Sequence, residues 1–327
     1  MATADDDWVD VAEEFCGPEE WVVLVGDEGS MSAVFFGRAA ASIGAGVAAP
    51  IPIADAAARG CGRVLLSSGG TGGAVAPAPV SIGGPAAEAA ASSRGRVLFS
   101  GPWSRYYVLD PSAGERHSLP LPRRANPHDA AIACDARGGY CVACAFRGCF
   151  EIYASSAGEW REVPSAVAAA VVPGSAVSFA GTVFWKLAAS RGVLALDVAT
   201  GTTRDIAPPP RCSDTAALWQ LGIAAGHLCA AVRTDDGVEL HNLGPGPTWN
   251  LLRGVAVDGG GCEEEVHLRP LRFESDNHEV LLRMGERVVA VDVVEGTSRE
   301  ARLDGAVLPE DDGKIVPWCR AASTLLL

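Results

Sequence analysis

Residues 193–206, VLALDVATGTTRDI, alternate apolar and polar side chains, break at Ala199-Thr200-Gly201 and resume as a polar run. Alternation at period two puts one side-chain set on each face of a strand. A glycine at the break supplies the positive φ of a tight turn, so the segment predicts a β-hairpin. The skeleton of apolar strand, Asp, three residues, Gly and a strand containing Arg recurs in YYVLDPSAGERHSLP from Tyr106 and VVAVDVVEGTSREARL from Val288. In FEIYASSAGEWREVP, Ala154 replaces the Asp. Asp110, Asp197 and Asp292 are suited to accept backbone N–H bonds across such turns. The turn glycines Gly114, Gly158 and Gly201 lie about 44 residues apart, and Gly296 follows after roughly two such periods. The missing copy is VELHNLGPGPTWNLL, where Gly246 holds the turn and Trp249 takes the place of Trp160.

Extending each hairpin backwards finds a further strand pair. Strands at 176–180, 182–187, 193–198 and 202–206 make one four-stranded unit of about 45 residues, the size of a propeller blade. Units of the same kind are predicted at 130–164, 217–256 and 268–304, with 95–122 supplying the last three strands of another and 19–36 opening an N-terminal one. Residues 67–93 are rich in Ala and Gly and are expected to be a loop or insertion. The span from Trp21 to Val97 exceeds one period and falls short of two, which favours six blades over seven. The expected fold is therefore all-β: a closed β-propeller of four-stranded blades at 19–327, after a short acidic segment at 1–18. A C-terminal strand from KIVPWCRAASTLLL is expected to close the ring by removing two exposed sheet edges.

Composition narrows the function classes. Hydrophobic residues make up 48% and charged residues 20%, enough for an extended core. A net charge of −14 works against a phosphate backbone, so no nucleic-acid partner is expected. MATADDDWVD has neither the basic nor the apolar region of a secretory signal. The uncharged run at 165–185 is broken by Pro173-Gly174-Ser175, so no membrane partner is expected either. Ten cysteines in a long chain with no Asn-x-Ser/Thr site read as reduced thiols of a cytoplasmic or nuclear protein.

RYYVLDPSAGERHSLPLP, FEIYASSAGEWREV, SFAGTVFWKL with VLALDVATG, GHLCAAV with VELHNL and Trp249, and KIVPWCRAASTLL together resemble the plant F-box-associated propeller, a Kelch-like family. The similarity preserves order and covers residues 95–327. It implies the substrate-binding domain of an F-box ubiquitin-ligase receptor, a non-catalytic module that holds another protein. Family members carry an N-terminal F-box that docks the Skp adaptor, and nothing before Trp21 is long enough to form its three helices. The expectation is an adaptor, scaffold or competitor that does not bind the Skp adaptor directly.

Little of the sequence reads as reaction chemistry, and no catalytic, cofactor or metal residues are assigned. Cys141 and Cys144 in CVAC lie three apart in an alternating strand, where they point to opposite faces, so they read as structural. CEEEVH at 262–267 reads as a solvated acidic loop, and SGGTGG at 68–73 lacks the Lys-Ser/Thr of a phosphate loop. The competing function, a propeller hydrolase or lactonase, requires carboxylates or histidines around a metal in the central channel. The innermost strands AVSF and AAIAC are expected to be poor in such groups. The repeated feature is instead basic. Connections between second and third strands hold Arg105, Arg147, Lys186, Arg191, Arg233, Arg283 and Arg287, and those between successive units add Arg123, Arg124 and Arg211. Third-to-fourth turns carry Glu115, Glu159 and Glu295 on the opposite face. The basic rim, with Trp103 as an aromatic anchor, is the candidate surface for an acidic or phosphorylated segment of a protein partner.

Overall fold

A computed structural model describes residues 21–27, 30–36, 51–52, 63–65, 79–81, 88–101, 105–110, 115–135, 137–188, 190–212, 218–235, 237–256, 268–275, 278–285, 287–300 and 315–319. Segment 1–18 and Trp103 fall outside them. The chain is an all-β propeller. Its strands form five four-stranded sheets, one five-stranded sheet and a separate pair, Arg63–Leu65 with Pro79–Ser81.

In chain order, the second sheet is Glu88–Ser93, Arg96–Gly101, Arg105–Asp110 and Glu115–Ser118. The third is Asp129–Cys134, Tyr140–Phe146, Cys149–Ala154 and Glu159–Pro164, and the fourth is Val177–Phe179, Thr182–Lys186, Val193–Asp197 and Thr203–Ile206. The fifth is Trp219–Ala224, His227–Arg233, Gly237–Leu243 and Trp249–Ala256, and the sixth is Leu268–Pro270, Glu279–Met284, Arg287–Asp292 and Thr297–Glu300. In the first sheet, Trp21–Asp27 pairs with Ser30–Phe36 on one side and with Ile315–Cys319 on the other, both antiparallel. Four of the strands read from the sequence at 176–206 lie within a residue or two of the observed ones.

These sheets bury both faces, which alternation makes possible. Along Tyr140–Phe146, Ala143 and Ala145 pack with Trp185 and Leu194 of the fourth sheet, while Val142, Cys144 and Phe146 pack with Leu98 and Val108 of the second. The fourth sheet repeats the scheme, with Val183, Trp185 and Leu196 facing the third sheet and Phe184, Val193 and Ala195 facing the fifth. In His227–Arg233, Leu228, Ala230 and Val232 face the fourth sheet, and Cys229 and Ala231 face the sixth. Phe150 and Trp185 stack across one interface with ring centroids 5.4 Å apart. Each fully buried Leu or Phe stabilises such an interface by about 1.5–3 kcal/mol.

The hairpin turns at Asp197 and Asp292 match the sequence reading, whereas Gly246 does not take the positive φ expected of a turn glycine and Gly114 lies outside the described residues. Asp197 Oδ1 accepts the N–H groups of Ala199 and Thr200 at 3.0 and 2.8 Å, and Asp292 Oδ1 accepts those of Val294 and Glu295 at 2.9 and 3.0 Å. Gly201 and Gly296 take φ of +78° and +71°. The Trp160 and Trp249 correspondence is physical too: their indole N–H groups donate to Pro120 O and Ala207 O, each at 2.8 Å. Each indole thereby ties an outer strand to the chain that has just left the preceding sheet.

Two features differ from expectation. The stretch 67–93 is not wholly loop, because it contains Pro79–Ser81 and the innermost strand of the second sheet, Glu88–Ser93. That strand reads EAAASS, and its small residues give no large apolar alternation to detect. The first strand of the sixth sheet also divides. Leu268–Pro270 pairs with Glu279–Met284, whereas Phe273–Ser275 runs parallel to Trp219–Ala224 of the fifth. Gly222 permits the crossing, since a Cβ there would lie 2.4 Å from the buried Phe273 ring.

Gly222→Ala should therefore lower stability by about 1–3 kcal/mol, the usual cost of overpacking. Urea denaturation checks this, with a reduced midpoint and an unchanged slope expected.

Candidate functional site

In a sheet that runs up and down, second-to-third connections and sheet-to-sheet connections emerge at the same end. The contacts agree: Lys186 Nζ, at the end of a second strand, donates to Trp219 O at the start of the next sheet at 2.7 Å. The Arg233 N–H likewise donates to Leu218 O at 2.8 Å.

The basic residues assigned to this end have different environments. Arg105 is exposed at the head of its strand, and Arg147 is exposed in a turn with Gly148, whose φ is +90°. Arg123 and Arg124 are exposed in the connection 119–128, which is clamped to the third sheet. The Arg123 N–H donates to Glu151 Oε2 at 2.7 Å, and Arg124 Nη2 lies 3.1 Å from Glu162 Oε1. Glu151 is fully buried, with Arg124 Nε 3.9 Å from its other oxygen. Arg211 is exposed, and its Nη1 sits 3.3 Å from Glu239 Oε1. Arg287 is exposed, while Arg191 and Arg233 are half-buried.

Lys186 and Arg283 are withdrawn from the rim. Lys186 is half-buried, and its ammonium lies 4.7 Å from the centre of the Trp219 ring. Burial pushes its pKa down to about 8, opposed by the nearby Cys212. Arg283 is 6% exposed and its Nε donates to Gly285 O at 3.0 Å. A basic residue closing a strand looks the same in sequence whether it points out or lies back along the sheet. Sequence reasoning also passed over Leu121, 56% exposed, and Leu218, 39% exposed, in connections at this same end.

The innermost strands are more polar than expected. Ser92, Ser178, Arg272, Phe273 and Glu274 line a cavity of ≈ 10 Å³, about the space of one water. Arg272 is buried and its Nη1 donates to Ala90 O at 3.1 Å. Glu274 accepts from the Arg94 N–H at 3.2 Å and from Ser92 Oγ at 3.4 Å. Asp129 accepts from the Gly174 N–H at 3.1 Å and the Trp185 indole at 2.9 Å. Burial raises the Asp129 pKa, and the Gly174 N–H, Arg272 charge and Trp185 indole oppose that rise. These groups bind one sheet to another rather than aim together at an open position. Among the described residues, no three His, Cys, Asp or Glu side chains gather as metal ligands would.

Cys144 packs toward the second sheet and Cys141 toward the fourth, so the CVAC pair divides between opposite faces as alternation requires. Burial pushes the Cys134 thiol up to about 11 and those of Cys212 and Cys229 to about 12. CEEEVH and SGGTGG lie outside the described residues.

Lys186 gives a pH signature. Below pH 8 its amine is charged both folded and unfolded. Between about 8 and 10.5 the unfolded chain keeps a proton that the folded chain has released, so folding gains as pH rises. Chemical denaturation of wild type and Lys186→Met across this window should show the difference moving in favour of wild type. A constant difference would contradict the buried, deprotonating amine.

No protein-family model matches the chain, and no curated protein matches it. Among solved structures, a chain of a nidogen/laminin complex is 12% identical, with a TM-score of 0.48 over 92% of this chain and 100% of that one. A protein of unknown function from Bacteroides caccae is 14% identical, with a TM-score of 0.47 over 92% and 99%. YCF48 bound to D1 peptide is 10% identical, with a TM-score of 0.45 over 87% and 84%. At these scores the likeness carries no argument about function.

Proposed function

We propose that the chain is a non-catalytic protein-binding propeller of six blades, closed by Ile315–Cys319. Its functional face holds an acidic or phosphorylated segment of a partner. Six blades are supported by the innermost strands, which neighbour one another in a cycle: Ile315–Cys319 lies beside both Phe273–Ser275 and Glu88–Ser93. The observation that carries the binding role is the clamped connection 119–128. It fixes Arg123, Arg124 and Leu121 on a buried Glu151, at the same end as exposed Arg105 and Arg147, in a chain of net charge −14. A fixed basic platform loses little conformational entropy on binding and attracts negative charge.

The sequence resemblance to plant F-box-associated propellers gives the partner a role, that of the protein a ubiquitin ligase would select. In this reading the propeller acts as adaptor, scaffold or competitor in the cytoplasm or nucleus. The alternative, a hydrolase or lactonase with a channel metal, is disfavoured by the buried Arg272 cation beside the innermost strands, which would repel a metal ion.

An array of acidic and phosphorylated peptides, probed with the purified protein and followed by calorimetry of the best binder, tests the reading. Combining Arg105→Glu, Arg123→Glu and Arg147→Glu should weaken binding at least tenfold, about 1.4 kcal/mol. Glu159→Arg with Glu295→Arg, on the opposite face, should leave it unchanged. Equal affinity in both folded variants would remove this face.

A further inference from the structure

The outer strand of the fifth sheet, Trp249–Ala256, differs from the other outer strands. Its eight residues make it the longest described strand, and it is last in its sheet, so among the described residues one edge has no strand beside it. Soluble proteins keep such edges from joining other chains by shortness, charge or proline. Glu115–Ser118, Thr203–Ile206 and Thr297–Glu300 have four residues each. Glu159–Pro164 carries Glu159, Arg161, Glu162 and Pro164. Trp249–Ala256 has no acid and no proline, Arg253 is its one charge, and Leu251 and Leu252 are 57% and 41% exposed.

We propose that this edge pairs with the same edge of a second copy, antiparallel, about a twofold axis between Leu251 and Leu252. The strand is self-complementary about that point. Leu251 meets the partner's Leu252, Asn250 meets the partner's Arg253, and Trp249 meets the partner's Gly254. No like charges oppose each other. An axis moved to Arg253 would set that residue against its own copy.

Backbone directions point to the same axis. The Gly244 N–H donates to Thr248 O at 2.8 Å, so Thr248 faces its own sheet. By alternation Asn250 faces inward too, and Trp249 presents its N–H and C=O to the open edge. Pairing then shifts: His241 opposes Leu251 and Leu240 opposes Arg253, leaving Leu252 as an extra residue. Beyond this bulge the alternation is reset, with Arg253 inward and Gly254 outward. Trp249 and Gly254, equally far from the axis, therefore both offer backbone groups to the partner copy. In a regular strand, positions related by an axis between two residues would face opposite ways and could not bond. A bulge usually blunts an edge; placed here, it makes the edge match itself. The missing side chain at the partner's Gly254 leaves room for the half-exposed Trp249 indole.

Sedimentation velocity of the full chain over a wide concentration range tests the pairing. The mass should double with concentration, and added salt should strengthen association by screening the −14 charge. Leu251→Glu with Leu252→Glu should stay monomeric with unchanged circular dichroism and melting. As a second readout, Asn250→Cys chains mixed with Arg253→Cys chains should form disulfide-linked pairs in excess of either variant alone, since the register sets these positions opposite each other. A wild type that remains monomeric overturns the proposal, as does a dimer that survives the folded double-glutamate variant. A cross-link without preference for the mixed pair, or a monomer that instead captures an added peptide along this edge, overturns it as well.

Discussion

The third, fourth and fifth sheets are apolar on both faces, and the rest of the molecule follows from that constraint. A sheet like Asp129–Pro164 cannot turn either face to water without exposing a row of Val, Ile, Phe or Trp, so it is stable only between two others. Strands converge toward the axis and spread at the rim, so close approaches near the axis call for small residues. Inner strands hold Ala91, Ala130, Ala131, Ala133, Gly222 and Ala224 among larger residues such as Ile132, Trp219 and Phe273, and Trp160 and Trp249 lie on outer strands. Gly222 under Phe273 is the extreme case, a position where the spacing leaves no room for a methyl group.

Face-to-face apolar packing does not by itself set the angle between neighbouring sheets. Polar ties between neighbouring sheets restrict it, and they recur at several interfaces. Asp129 reaches from the third sheet to Gly174 and Trp185, Lys186 from the fourth to Trp219, and Arg272 from the sixth sheet's segment to Ala90 of the second. Withdrawing these charges wholly or partly from water carries a desolvation cost that good hydrogen bonding offsets, in keeping with the raised Asp129 and lowered Lys186 pKa values. Basic and acidic groups spent this way are lost to any ligand. The proposed binding face draws on the exposed basic side chains around the second and third sheets, Arg105, Arg123 and Arg147, with Arg124 held beside Glu162.

How far the sequence can be read follows from the same physics. Outer hairpins were visible because they repeat alternation on either side of a glycine turn, most clearly where an Asp caps the turn and the glycine takes a positive φ, as at Asp197 and Gly201. Inner strands were harder. EAAASS resembles a loop, because crowding at the axis selects the small residues that also fill loops. The path of Leu268–Ser275 was invisible, since moving a strand from one sheet to its neighbour leaves each residue's burial nearly unchanged. At the site, loop position marked the end of the molecule on which the basic residues lie. It could not separate Arg147 from Lys186, because the difference is whether a neighbouring carbonyl and aromatic ring stand within reach, and those come from the next repeat.

The two surfaces singled out here use different parts of the strand plan. The basic face is made of connections at one end of the sheets, and the Leu251-Leu252 edge is the side of an outer strand, so occupying one leaves the other open. A dimer through that edge would present two copies of the basic platform related by a twofold axis. A partner with two acidic segments could then bind the second platform as an intramolecular step, at an effective concentration set by its own linker. The affinity of a single platform would matter less than the spacing between the two. Modest individual charge contacts, each screened by salt, could together hold a partner that neither copy would retain alone.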